Sequence, residues 1–243
     1  MDKFNIFSPI NIILFIFLLV VLFLIYKNYQ QPLNSKTYMI NIYLYTIVAT
    51  LFVALAARYI STLSIVTPKN FYKFLILYLI IVFSSFFIML SSNTLYNHFG
   101  FLLFLFGLSL VLAITFKYSD TIPQAALFAS GLFLILTMIV FFSSEETLLK
   151  LGSLMPSLTS LLCLLIIVYL IVIMFYPTIS AFNLMSYLII ILFVFITLSD
   201  TSILLLKSKN LVCDHHSCVN YPLESTSLIL DYLNIFLASS NIF

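Results

Sequence analysis

Apolar residues run along this chain almost without a break, interrupted at intervals by short clusters of charged and turn-forming residues. About 20 consecutive apolar residues carry a helix across a bilayer. Cutting the sequence at its polar clusters leaves eight candidate spans, at roughly 10–26, 38–60, 71–92, 99–116, 123–143, 157–176, 181–206 and 223–243, the last the weakest in hydropathy. The connections Lys27 to Thr37, Lys117 to Ile122 and Ser144 to Pro156 are short. Consecutive helices are therefore expected to be antiparallel neighbours in a single bundle, with no room for a soluble domain. Only Lys207 to Pro222 forms a long polar stretch. The first span has no small-residue cleavage site before Lys27, and its basic flank is a lone Lys3, so it reads as a retained helix rather than a cleaved signal peptide.

Composition agrees with that pattern and excludes the alternatives. Hydrophobic residues make up 63% of the chain and charged residues 7%, with a mean hydropathy of +1.22, whereas a soluble domain carries roughly 25% charged residues. Eighteen charges cannot cover a globule of 243 residues, so lipid must solvate most of the surface. A formal charge of +2, dispersed along the chain, gives no basic face for nucleic acid. Trp is absent, and the 15 Tyr and 26 Phe are left to populate the interfacial belts. If alternate connections face opposite sides, Lys27, Lys36, Lys150, Lys207 and Lys209 stand against Lys3, Arg58, Lys69, Lys73 and Lys117. That balance assigns no orientation, because the positive-inside rule needs an asymmetry.

Within so apolar a chain, ionisable residues inside the spans are the informative ones. A carboxylate at a helix centre costs on the order of 2.5 to 3.5 kcal/mol on insertion scales. Asp200 lies near the end of the seventh span in ThrLeuSerAspThrSer, and Asp231 in the middle of the eighth in LeuIleLeuAspTyrLeuAsn. On the eighth span Glu224, Ser227, Asp231, Asn234 and Asn241, with Ala238 between, follow three- and four-residue steps. Such spacing lays one polar stripe along a helix, expected to face the bundle interior or a water-filled cavity. The two aspartates are either separate interior groups satisfied by hydroxyls or backbone, with Asp200 alternatively just ending its helix near the interface, or a pair close enough to share a proton and so sense pH. Arg58, the only arginine, is either a cationic partner for such a carboxylate or an interfacial residue snorkelling to head groups.

The stretch CysAspHisHisSerCys places Cys213, His215, His216 and Cys218 within six residues. Three readings stand open: a solvated loop as the default, a Cys213–Cys218 disulfide on an oxidising side, and a zinc site, although the spacing matches no standard finger. No metal or other cofactor is otherwise indicated. There is no zincin motif, nucleophile elbow or phosphate-cradling glycine loop, and His98, at the start of the fourth span, has no nucleophile at a telling spacing. The chain is not expected to be an enzyme.

Four short motifs, in order, resemble the transmembrane Bax inhibitor motif family over about Lys36 to Phe243. LysThrTyr at 36–38 is similar to the start of the family's first helix, and GlyLeuSerLeu at 107–110 to its third-helix signature. SerAspThrSer at 199–202 resembles the TyrAspThrGln that closes the sixth helix, and LeuAspTyrLeuAsnIlePhe at 230–236 the LeuAspPheIleAsnLeuPhe of the seventh. Phe106, Ser199 and Ser202 depart from the family pattern, and the chain lacks the customary basic tail after Phe243. The resemblance implies an all-α, polytopic membrane helical bundle: residues 36–243 would form the seven-helix Bax-inhibitor-like core around a central hydrophobic helix, and residues 1–35 one extra N-terminal transmembrane helix with its connecting loop. It further implies a pH-sensitive calcium leak out of internal stores, with suppression of cell death. Asp200 and Asp231 would be the gating pair, Arg58, Ser227 and Asn234 supporting polar groups, and calcium the transported ion. Expected partners are the bilayer, calcium and cell-death regulatory membrane proteins. The expected location is an endoplasmic reticulum or Golgi-type membrane, or the plasma membrane if the source is bacterial.

Overall fold

The computed structural model describes residues 9–63, 71–176, 178–213 and 215–243. Among them every regular element is a helix, as so apolar a chain requires when each backbone amide must find its partner away from water. The helices are α1 (Pro9–Tyr29), α2 (Ser35–Ser61), α3 (Phe71–Met89), α4 (Thr94–Tyr118), α5 (Ile122–Phe141), α6 (Glu145–Ser153), α7 (Met155–Phe175), α8 (Ile179–Lys209) and α9 (Tyr221–Ser240). A 3-10 turn, His216–Cys218, precedes α9. Six helical stretches among the described residues are long and apolar enough to cross a membrane, and α3 adds a shorter apolar run, Leu75–Met89. The chain is an integral, multi-pass membrane protein.

The sequence explains where the helices begin. Asn34 accepts from the Thr37 amide at 2.9 Å while the Thr37 hydroxyl accepts from the Asn34 amide at 2.8 Å, a reciprocal capping box. Asn93 caps α4 through the Leu95 amide at 2.9 Å, and Thr178 caps α8 through the Ala181 amide at 3.2 Å. Pro123 and Pro156 sit in the first turns of α5 and α7, where a missing N–H costs nothing. Two expectations need correction here. The connection Ser144 to Pro156 is not a plain loop: it carries α6, started by Ser144, with Glu145 and Glu146 in its first turn and Lys150 in its last, each charge complementing the helix dipole. The fourth helix also starts earlier than its hydropathy suggested, so His98 lies a full turn inside α4. Its Nδ1 donates to the Thr94 carbonyl at 2.7 Å, and its Nε2 pairs with the Tyr45 hydroxyl at 2.6 Å.

The chain divides into two compact units, Met1–Asp120 with Val212–Thr226, and Thr121–Leu211 with Ser227–Phe243. In the first, α2 packs on α1 and α4, and α3 on α4. Gly100 allows the last of these contacts: a Cβ there would stand 2.8 Å from the Met89 amide nitrogen and 2.9 Å from the Ser85 carbonyl oxygen. Gly107, of the GlyLeuSerLeu motif, meets α3 at Ile81. In the second unit α8 packs against α5, α6 and α7.

Candidate functional site

The second unit holds both conspicuous aspartates. On α8, Thr197, Asp200 and Thr201 lie three and four residues apart and share one face; all three are buried, Asp200 with 8% of its surface exposed. On α9, Asp231 is 2% exposed. The carboxyls lie close enough for each to feel the other's charge. Their hydroxyl partners are exchanged between the helices: Ser227 of α9 reaches the Asp200 carboxyl, and Thr197 of α8 reaches that of Asp231. Moving down α8 from 200 to 197 corresponds to moving up α9 from 227 to 231, so these segments run antiparallel, in a register in which each acid sits beside the other helix's hydroxyl.

The pair is only partly satisfied. The Thr197 hydroxyl has a second acceptor in the Phe193 carbonyl at 2.7 Å, which competes with Asp231 for its single proton. Asp231 Oδ2 and Thr201 Oγ1 are buried with no hydrogen-bond partner among the described residues. Buried polar atoms are nearly always paired in proteins, and an exception calls for a functional or solvent-based explanation. Two carboxyls this close in a medium of low dielectric repel strongly when both are ionised, and a shared proton or a divalent cation removes the repulsion.

Of the sequence candidates, Asp200, Asp231 and Ser227 come together. Asn234 lies one turn beyond Asp231, donates to its own helix at the Leu230 carbonyl (2.8 Å), and lines a cavity of about 220 Å³ with Leu162, Leu165, Ile166, Tyr169, Ile189 and Phe193. Arg58 belongs to the first unit, half-buried in the last turn of α2. The expected stripe on α9 is not its organising feature. Leu228, Ile229, Leu233, Ile235, Phe236 and Ala238 are buried as well as Asp231, so the helix is covered nearly all round, and Asn241 lies beyond its end in a turn. Ser225, Thr226, Ser239 and Ser240 lower its hydropathy; each hydroxyl donates back to its own helix, at 2.6 to 3.1 Å.

Thr197 is a site residue that the sequence reading passed over. Thr197 stands three residues before Asp200 on the same face, and that spacing was the available signal. Ser199 donates to the Leu151 carbonyl of α6 at 2.9 Å, tying α8 to a helix that hydropathy had hidden.

The Cys213–Cys218 disulfide is formed, so neither sulfur is a thiolate ligand, and the zinc reading of Cys213, His215, His216 and Cys218 falls for this form. No group of three potential metal ligands occurs among the described residues. Nor is the loop merely solvated: His215 faces outward, but His216 is 7% exposed.

Residues 35–243 match the family model described as Inhibitor of apoptosis-promoting Bax1, a region that opens at α2 and takes in both aspartate motifs. Neither the curated proteins nor the solved structures include a match.

Proposed function

The chain belongs to the Bax inhibitor family, and on that premise we propose that it is a pH-sensitive calcium leak channel of internal membranes that protects cells from death. The observation that carries the reading is the buried pair of Asp200 and Asp231, crossed with Ser227 and Thr197, with one carboxylate oxygen left unbonded. A proton shared by the pair holds α8 and α9 together through a charge-assisted hydrogen bond. Its loss leaves two like charges that separate, and the parted carboxylates present hard oxygen ligands of the kind calcium prefers. Calcium is cargo here and not a resident cofactor, and no covalent bond is made or broken, so the role is not enzymatic. An endoplasmic reticulum or Golgi-type membrane, where calcium is stored, is the location this reading requires.

The test is calcium efflux from proteoliposomes between mildly acid and neutral pH. Asp231→Asn keeps the shape of the carboxyl but cannot carry the charge, and it is expected to flatten the pH dependence. An unchanged flux with an unchanged pH profile would sink the mechanism.

A second reading keeps the fold without conduction: the protein acts by contact with cell-death regulatory membrane proteins. Phe106, 42% exposed where many family members carry an acid, and the added helix α1 favour it. Crosslinking to a stoichiometric protein partner, with no flux in liposomes, is its signature.

A further inference from the structure

The connection between α8 and α9 is joined to the first unit by more than its chain. His216 stacks on Tyr29 of α1 with ring centroids 5.0 Å apart, and both its ring nitrogens are engaged in a chain of bonds whose direction is fixed at each end by a backbone carbonyl. The Thr37 carbonyl can only accept, so Asn28 must present its Nδ2 there, at 2.9 Å. The same Nδ2 donates to Asn41 Oδ1 at 2.8 Å, which turns Asn41 Nδ2 toward His216 Nδ1 at 3.3 Å. At the other end the Gln31 carbonyl can only accept from His216 Nε2, at 3.0 Å. His216 is thereby set as the Nε2–H tautomer, its bare Nδ1 accepting from Asn41 and from the Tyr221 hydroxyl at 2.7 Å. Through these bonds α1, the α1–α2 connection, α2 and the start of α9 meet on one imidazole.

What positions that imidazole is slight by itself. His216 lies in a three-residue 3-10 turn with no side-chain cap, a structure with little strength of its own. The Cys213–Cys218 bridge closes around it. Asn220, just beyond, donates to the Met89 carbonyl at the end of α3 at 2.7 Å, so the α1–α2, α3–α4 and α8–α9 connections share one end of the first unit.

We propose that the Cys213–Cys218 bridge is a redox latch, made on the oxidising side of the membrane, that holds His216 in place and thereby fastens α1 to the rest of the first unit. A disulfide persists in an oxidising compartment and is rare in the cytosol. It therefore assigns the orientation that the evenly split basic residues left undecided, with these three connections on the lumenal or extracytosolic face. Its formation is a thiol–disulfide exchange: one cysteine thiolate attacks the disulfide of an oxidant in that compartment and expels one thiol. The second cysteine then displaces the other sulfur, so that two electrons and both protons leave on the oxidant's dithiol. The latch stands whether or not the protein conducts calcium.

Three measurements on the full chain test it. After acid quenching of the cells, which stops thiol exchange without modifying any thiol, and denaturation, a maleimide-polyethylene glycol reagent should modify one cysteine, Cys163, without reductant and all three after reduction. Three modified without reductant would overturn the proposal, and Cys213→Ser should give two without reductant. The chain has no Asn-X-Ser/Thr acceptor of its own, so a flexible insert carrying one reports its side of the membrane. Between Ser91 and Ser92 it should be glycosylated in microsomes, and between Ser119 and Asp120 it should not; the opposite pattern would overturn the orientation. Hydrogen exchange at residues 30–41 should quicken by roughly three- to tenfold on reduction and in His216→Ala, the scale of one lost hydrogen bond. Unchanged exchange in both would remove the latch.

Discussion

At the residue scale, this protein gathers its expensive groups where another helix can answer them. Asp200 and Asp231 are each served by a hydroxyl from the facing helix, so removing Ser227 and Thr197 should not be additive. Ser227→Ala and Thr197→Val together are expected to show a coupling of about 0.5 to 3 kcal/mol in a double-mutant cycle, read from denaturant unfolding in mixed micelles. Additivity would mean that the two crossed contacts do not act as one unit. Gly100 makes a simpler case. Its missing Cβ is the gap into which Met89 and Ser85 fit, so Gly100→Leu is expected to cost about 1 to 3 kcal/mol by overpacking. Gly131 has nothing within 4 Å of a Cβ, so Gly131→Ala should be neutral or stabilising by up to about 1 kcal/mol. A drop in thermal midpoint for the first and none for the second would bear this out. The aspartates were legible in the sequence because charge is rare in it. Thr197 was not, because a threonine in an apolar helix announces nothing until the carboxyl that it faces is known.

Among the helices, the instructive one is α6. Its nine residues are polar enough to read as a connection, yet Leu148 is completely buried, Glu145 lies 3.7 Å from Lys209 of α8, and Leu151 receives the Ser199 hydroxyl. A hydropathy window tuned to 20 apolar residues cannot see so short an amphipathic turn. Leu148→Ala is expected to cost about 2 to 5 kcal/mol, and Leu149→Ala, at a position 58% exposed, no more than about 0.5 kcal/mol. Equal effects on the unfolding midpoint would mean that α6 does not pack through that face. The ion pairs at its ends are largely exposed, Lys150 to Glu146 at 75% and 78%, and contribute little; α6 stays in place through Leu148 and the Ser199 bond. α9 teaches the converse lesson. Its low hydropathy marked it as the weakest span, whereas its serines and threonines are bonded to their own turns, which makes them compatible with burial on every side.

On the scale of the whole molecule, one open matter is how the added helix joins the family region. α1 exposes most of its apolar side chains, Phe15, Leu19 and Phe23 among them, and Asn28 is one of its polar attachments, bonded to the Thr37 carbonyl and to Asn41. Asn28→Ala leaves Asn41 Oδ1 without its donor, and is expected to cost about 1 to 3 kcal/mol while leaving the Cys213–Cys218 bridge intact. A lowered midpoint in fluorescence-detected size exclusion, with an unchanged maleimide count, is the predicted pair of results. The sequence by itself determined that the chain lives in lipid, that eight apolar segments make it up, and that it belongs with the Bax inhibitor family. Solvation is a bulk property that composition carries, and motif order is written in the chain. Tertiary structure chose the Cys213–Cys218 bridge from among the readings the local sequence had offered, and it decided what depends on distance: that Asp200 and Asp231 share one buried site, and that His216 faces Gln31 and Asn41 across long stretches of sequence. No local pattern encodes a meeting of residues so far apart in the chain, because such contacts form only when packed helices exclude lipid from between them.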